Sequence, residues 1–390
     1  MARQSPPLVH RMRGQASTIF GEMSALATRL GAVNLGQGFP DEDGPVQIRE
    51  AAVSAIREGR GNQYPPAHGV PELRQAIAEH QRRFYGLDVD WRIDVVVATG
   101  ASEAIAATVL ALVEPGDEVL MLDPYFDLYA AVTALAGATR VTVPLSGPQM
   151  RPDIGGLEAA ITPKTRLLLL NSPHNPTGIV LTADELARIA ELAIRHDLIV
   201  LADEAYEHLW FDPHPHIPIA TLPGMWERTV TVGSGGKSFS LTGWKVGWAT
   251  GPEDLIAAVR VVRQHLSYTS GGPFQWAMAE ALALPDSYFD GFRAGLAAQR
   301  DFLGAGLTDL GFGVIEPAGT YFTITDVRTL RFADGDEFCR WAPQAAGVVA
   351  IPLSALSDHP EESGPYVRWA FCKRHELLDE GLRRLRAALA

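Results

Sequence analysis

Solidly apolar runs recur through the middle of the chain, at Val95–Thr99, Glu118–Asp123, Arg140–Leu145, Arg166–Asn171, Leu198–Glu204 and Thr229–Ser234. They do not alternate with polar positions, which is the pattern of strands buried on both faces. Between two of them, Thr182 and Glu185 stand at capping-box spacing, and Leu186, Ile189, Leu192 and Ala193 follow at helical period. This succession predicts βαβ units and a mainly parallel sheet sandwiched by helices, an α/β architecture. The C-terminal third reads differently. Helical stretches near Ser287–Leu310 and Leu377–Ala390 flank short β-like runs at Thr320–Thr325, Val348–Ile351 and Tyr366–Phe371, as in a smaller α+β domain. The expected division is an N-terminal arm with part of the small domain (1–50), a large domain (51–284) and a C-terminal small domain (285–390).

Composition narrows the picture. A chain of 390 residues that is 47% hydrophobic and 20% charged has enough apolar material for a folded core, so disorder is excluded as its main state. Lys plus Arg is 33 and Asp plus Glu is 46, and 33 − 46 gives a net charge of −13. So acidic a chain is a poor general nucleic-acid binder, though a local pocket can still attract a small anion. Two cysteines, Cys339 and Cys372, cannot build a disulfide framework or a cysteine-based metal site, and no metal is expected. They fit a reducing, cytoplasmic setting. The first residues lack the apolar core of a secretory signal, and no apolar run approaches the ~18 residues of a membrane span, so no membrane partner is expected.

In parallel sheets ligands bind beyond the carboxyl ends of the strands. Here those ends read Thr99-Gly100-Ala101-Ser102-Glu103, Asp123-Pro124-Tyr125-Phe126, Asn171 through Gly178, Asp203-Glu204-Ala205-Tyr206 and Gly233-Ser234-Gly235-Gly236-Lys237-Ser238. The last contains Gly-Lys-Ser, as a nucleotide-binding P-loop does. That motif requires a second glycine at position 231, which is Thr231. Taken singly, each segment also has a plain reading: a glycine-rich turn, an ion-paired Asp203, a core Tyr206, a turn at Asn175-Pro176-Thr177-Gly178. Taken together they describe one site. Lys237 can form a Schiff base. Asp203 can pair with a cationic ring nitrogen, Tyr206 and Asn175 can donate to a ring oxygen, and Ser102 and Ser234 can meet a phosphate. Those are the needs of pyridoxal 5′-phosphate.

With these segments in view, the chain resembles the class I aminotransferases of fold type I, the pyridoxal-phosphate superfamily. The resemblance is carried by Asn34 through Asp41, Asn62-Gln63-Tyr64-Pro65, Asn171 through Gly178, Asp203 through Glu207, Ser234 through Phe239 with Thr242-Gly243-Trp244-Lys245, then Gly319-Thr320-Tyr321-Phe322 and Arg368-Trp369-Ala370-Phe371. It spans nearly the whole chain. Within the superfamily, Ile19 through Ala27 and Phe371-Cys372-Lys373-Arg374 are most similar to the kynurenine/methionine aminotransferase subgroup, and closer still to bacterial N-succinyldiaminopimelate aminotransferases.

The resemblance implies a role for each matching position. Lys237 would hold the cofactor and act as general base and acid, which requires a lowered pKa. Asp203 would keep the ring nitrogen protonated, Tyr206 and Asn175 would bond the ring oxygen, and Phe126 would stack on the ring. Ala101, Ser102 and Glu103 would offer the phosphate a helix N-terminus, with Ser234 and Lys245 adding a hydroxyl and a charge. Tyr64 would come from the other subunit of a homodimer. Arg368 would grip the substrate carboxylate, with Asn175, Gly38 and Phe20 beside it. The partners implied are small amino acids and 2-oxo acids, and the implied reaction is amino transfer, as between N-succinyl-LL-diaminopimelate and 2-oxoglutarate.

Two features depart from the pattern or leave it open. Gly235-Gly236 suggests extra backbone freedom before the lysine. No arginine stands out for a side-chain carboxylate. A kynurenine, methionine or glutamine aminotransferase, or a β/γ-elimination, replacement or carbon–carbon bond-forming enzyme on the same scaffold, would keep every residue named above.

Overall fold

A computed structural model of the chain describes residues 8–15 and 17–390. Its strands are β1 (Val33–Asn34), β2 (Val95–Thr99), β3 (Glu118–Asp123), β4 (Thr139–Pro144), β5 (Thr165–Asn171), β6 (Ile199–Asp203), β7 (Thr229–Ser234), β8 (Val246–Thr250), β9 (Gly313–Ile315), β10 (Phe322–Asp326), β11 (Val348–Val349), β12 (Ile351–Pro352) and β13 (Tyr366–Ala370). Seven of them form one sheet in the order β2-β8-β7-β6-β5-β3-β4. All are parallel except β8, which runs antiparallel between β2 and β7.

The six apolar runs in the middle of the chain are all strands of this sheet, each within a residue of its expected bounds. β8 is the seventh, which the hydrophobic pattern did not predict. Its residues are all buried, yet Val-Gly-Trp-Ala-Thr is short, carries a glycine and follows the turn-like Thr242-Gly243-Trp244. Burial between two neighbours makes it a strand where local propensity does not. The helix after β2 begins at Gly100, directly at the strand end, and runs to Leu112.

The helix Ala183–Arg195 shows how local chemistry fixes the layers. Thr182 Oγ1 accepts from Glu185 N at 3.3 Å while Glu185 Oε2 accepts from Thr182 N at 2.8 Å, closing the capping box. Leu186, Ile189, Ala190, Leu192 and Ala193 are its buried stripe. They pack against Leu168, Leu170 and Val200 of the sheet.

A second sheet, β12-β13-β10-β9, is antiparallel throughout and uses only residues beyond 310. β1 pairs in parallel with β11, Val33 opposite Val348, so the N-terminal arm joins this C-terminal layer. Val33 and Leu35 share its core with Phe338, Trp369, Phe371, Leu382 and Leu385. The two layers are joined next to the strand ends: Arg140 donates from Nε and Nη2 to Asp358, both at 2.6 Å, and Asp123 Oδ2 accepts from Asp358 N at 2.7 Å. Among the described residues, no helix is long and apolar enough to cross a membrane.

Candidate active site

The carboxyl ends of β5, β6 and β7 lie side by side, with Asn171 in register with Asp203. Asn171 ties them together: its Nδ2 donates to the Asp203 carbonyl at 2.8 Å, and its Oδ1 accepts from Asn175 N at 2.8 Å. The loop carrying Asn175 is thus bolted to the strand carrying Asp203. After β7 the chain forms one helical turn, Gly235–Ser238, that lifts Lys237 off the sheet. Gly235 and Gly236 are not a point of freedom there. Neither has a positive φ, and a Cβ on Gly236 would lie 3.0 Å from the Thr242 backbone. The glycine allows close packing.

These ends open on a cavity of about 270 Å³, close to the lower end of the range for small-ligand sites. Twelve of the fourteen residues singled out in the sequence line it: Phe20, Gly38, Ala101, Ser102, Phe126, Asn175, Asp203, Tyr206, Ser234, Lys237, Lys245 and Arg368. Two do not. Glu103 turns its carboxylate back to Thr99 N at 2.5 Å, with Arg263 Nε 3.6 Å away, so any part it takes is through its backbone amide. Tyr64 is 81% exposed and stands edge-on to Tyr268, with centroids 5.3 Å apart.

Lys237 Nζ donates to Tyr321 Oη at 2.8 Å and lies 3.4 Å from the Gly38 carbonyl. Burial pulls its pKa from 10.5 down to about 8, helped by the charges of Arg368 and Lys245 and opposed by Cys372 and Asp203. The amine is therefore about half neutral near pH 8, far closer to a proton-transfer base than an ordinary lysine. Asp203 is buried, which raises its pKa; the hydrogen bond from Tyr129, the Ala205 amide and the charge of Lys237 pull the other way. Tyr129 Oη donates to Asp203 Oδ2 at 2.6 Å. Arg368 is 1% exposed. It donates from Nη1 to Asn175 Oδ1 at 2.9 Å and from Nη2 to the Gly36 carbonyl at 2.8 Å. Its guanidinium lies 4.0 Å from the Phe322 ring centroid and 4.8 Å from that of Phe20. Burial lowers its pKa to about 10, so it stays cationic.

Sequence reasoning missed Tyr129, Asn171, Phe322 and the part played by Tyr321. Tyr129 sits three residues after Phe126 in a helix and reads as core; only its contact with Asp203 marks it. Tyr321 and Phe322 fall in a segment whose resemblance was evident but whose side chains carried no assigned work. Gly38 explains itself here too, since a Cβ on it would lie 2.3 Å from the Phe322 ring.

The donor set fits pyridoxal 5′-phosphate. Among the described residues Asp203 has no ion-pair partner, a costly state for a buried carboxylate that a ring cation would relieve. Lys245 Nζ lies 3.1 Å from where a Cβ on Gly100 would be, at the first turn of the helix Gly100–Leu112. The Lys245 side chain and the first turn of that helix, whose leading N–H groups have no partner within the helix, thus share one end of the cavity, a setting for a phosphate. At the other end Arg368 Nε is buried without a partner.

A mainly parallel sheet with a lysine, a buried aspartate and a buried arginine converging at its strand ends defines the fold type I transferases. The chain belongs to the class I and II aminotransferase family, whose profile matches residues 31–385. Enzymes of this family depend on pyridoxal 5′-phosphate and move amino groups between amino acids and 2-oxo acids. The chain is 53% identical over 387 residues to a probable N-succinyldiaminopimelate aminotransferase of Mycobacterium tuberculosis, covering 97% of each chain. It is 38% identical over 378 residues to the methionine aminotransferase of Escherichia coli, covering 95% of each. The solved N-succinyldiaminopimelate aminotransferase from M. tuberculosis superposes with a TM-score of 0.96 at 54% identity, over 98% of this chain and all of that one.

Proposed function

We propose that this aminotransferase works on an N-succinylated diamino acid such as N-succinyl-LL-diaminopimelate, with 2-oxoglutarate as acceptor. The likeness to the M. tuberculosis enzyme at 53% identity supports that substrate class. The observation that carries the chemistry is the convergence of Lys237, Asp203 and Arg368 on one cavity.

In this reading Asp203 would hold the ring nitrogen of pyridoxal 5′-phosphate, Tyr206 and Asn175 would hold the ring oxygen, and Phe126 would pack on the ring. Ala101, Ser102 and the Glu103 amide, with Ser234 and Lys245, hold the phosphate. When bound, the cofactor would supply an aldehyde able to form a Schiff base and a ring that acts as an electron sink. Arg368 takes the substrate α-carboxylate, exchanging its bond to Asn175 for a two-pronged charge-assisted pair while the Gly36 carbonyl still holds Nη2. That grip fixes the α-carbon over Lys237. Lys237, whose pKa of about 8 leaves a large neutral fraction, removes the α-proton through Nζ and holds it until it is returned. Phe20, Gly38 and Phe322 wall the substrate from water.

The enzyme is a cytoplasmic homodimer in which Tyr64, exposed in the single chain, completes the partner's phosphate site. Residues 51–284 form the cofactor domain and 285–390 the small domain, joined by the 1–50 arm, of which residues 1–7 and 16 lie outside the described residues. The seven-stranded sheet within 95–250 and the β1–β11 pairing support this division.

The test is a donor–acceptor panel with succinylated diaminopimelate, kynurenine, methionine and glutamine as donors. The expected result is fastest keto-acid formation from the succinylated donor, with 2-oxoglutarate converted to glutamate. Faster turnover of another donor would refute the substrate assignment, and ammonia release in place of glutamate would refute transamination.

A further inference from the structure

The Lys237 amine is held by a relay that the roles above do not use. Tyr321 Oη accepts from Lys237 Nζ at 2.8 Å and donates to the Gly38 carbonyl at 2.5 Å. With its single proton committed to Gly38, the phenol turns a lone pair toward the amine. Tyr321 is itself fully buried and has little freedom to move: its ring meets Tyr206 edge-on with centroids 5.3 Å apart, and Phe322 at 4.8 Å. The anchor is equally rigid. Asn34 Oδ1 accepts from both Gly36 N and Gln37 N, at 3.0 and 3.2 Å, which sets the Gly36–Gly38 turn. The Gly36 carbonyl of that turn takes Arg368 Nη2.

We propose that Tyr321 is the positioning residue for the catalytic amine: it holds the freed Lys237 Nζ at the α-carbon and steadies its ammonium form while the proton is carried. The inference rests on the reading of Lys237 as the base. Two carbonyls two residues apart on one turn then set both partners of the reaction, Gly36 through Arg368 for the carboxylate and Gly38 through Tyr321 for the base. No bond is broken at Tyr321. The α-proton passes to Nζ, and the phenol only accepts a hydrogen bond from it, stronger once the amine is charged. A hydrogen bond to a charged group contributes about 1.5–3 kcal/mol, or roughly a 10- to 150-fold effect on rate when it is lost at the reacting geometry.

Tyr321→Phe keeps the ring and its packing and removes only the oxygen. The expected result is kcat lowered at least about tenfold with the donor KM changed less than about threefold. A merely structural tyrosine would lower thermal stability or raise KM and leave kcat alone. The second readout is the titration of Lys237 in the full chain carrying 13C-labelled lysine, after cofactor removal. Asp203, Cys372, Arg368, Lys245, Tyr206 and Tyr321 all face the amine, and only Tyr321 is altered. Its midpoint should fall below that of the unsubstituted protein, because the ammonium form loses an acceptor. Unchanged kcat, or an unmoved Lys237 midpoint, overturns the proposal while leaving Lys237 as the base. Full activity in Lys237→Ala overturns the underlying reading instead.

Discussion

Arg368 donates to Asn175 at 2.9 Å across 193 positions of sequence, linking β13 of the C-terminal layer to the loop after β5. The pair faces the cavity and competes for the same guanidinium that a substrate carboxylate would take. Binding therefore exchanges one hydrogen bond for another rather than creating a charge contact from nothing. Lysine at 368 keeps the charge but cannot make the planar two-pronged pair. Arg368→Lys should raise KM for amino donor and oxo acid by about 10- to 100-fold with a smaller change in kcat, as read by steady-state kinetics. An unchanged KM would remove Arg368 from carboxylate recognition.

Tyr129 acts through Asp203. Its 2.6 Å hydrogen bond favours the ionised carboxylate, which is the form that pairs with a ring cation. Tyr129→Phe should weaken pyridoxal-phosphate affinity by about ten- to a hundredfold, the worth of a hydrogen bond to a charged group, with little loss of thermal stability. Titrating the cofactor into stripped protein and following its absorbance measures this. Equal affinity would show that Asp203 needs no such support.

Just past Tyr206 lies a buried group that affects stability rather than chemistry. Glu207 accepts from Tyr85 Oη at 2.8 Å, and burial and the charge of Glu204 raise its pKa from 4.5 to about 8. Its neighbours His80 and His208 are pushed down by burial, His80 to about 3. The folded state therefore keeps a proton on Glu207 that the unfolded chain releases above pH 4.5. Stability from this group is full below pH 4.5 and is lost as pH rises toward 8. The histidines act the other way, but only below their unfolded value of 6.5. Between pH 6.5 and 8 the glutamate term stands clear, and Glu207→Gln should flatten the fall in melting temperature across that window. Parallel curves for the two proteins would contradict a protonated Glu207.

The six central strands were legible because burial on both faces writes itself as uninterrupted apolar sequence. Asp203, Lys237 and Asn175 were legible only together, because a carboxylate, an amine and an amide beyond neighbouring strand ends match one chemistry where each alone has a plain reading. β8 was not, since its sandwiching between β2 and β7 is a tertiary fact with no periodicity of its own. Tyr129 and Tyr321 were hidden for the same reason: an aromatic residue reads as core until its hydroxyl is seen to reach a particular carboxylate or amine. Glu103 was assigned for its backbone amide at the helix N-terminus, and its carboxylate is separately occupied with Thr99 and Arg263.

Tyr64 offers a test of the dimer. If it serves the neighbouring site, mixing Tyr64→Ala with Lys237→Ala subunits assembles dimers with one intact site. Co-refolding the two impaired variants should restore activity toward a fraction of the unmixed wild type. If Tyr64 serves its own chain, no mixed dimer contains an intact site and activity stays at the level of the variants.

The chain has four lysines, Lys164, Lys237, Lys245 and Lys373, and the central claim is that one of them carries the reaction. The direct measurement is borohydride reduction of the protein loaded with pyridoxal 5′-phosphate, followed by peptide mass mapping. The expected result is a single pyridoxyl adduct on Lys237 and loss of the protein's yellow absorbance. An adduct on Lys164, Lys245 or Lys373 in its place, or none at all, would contradict the site described here.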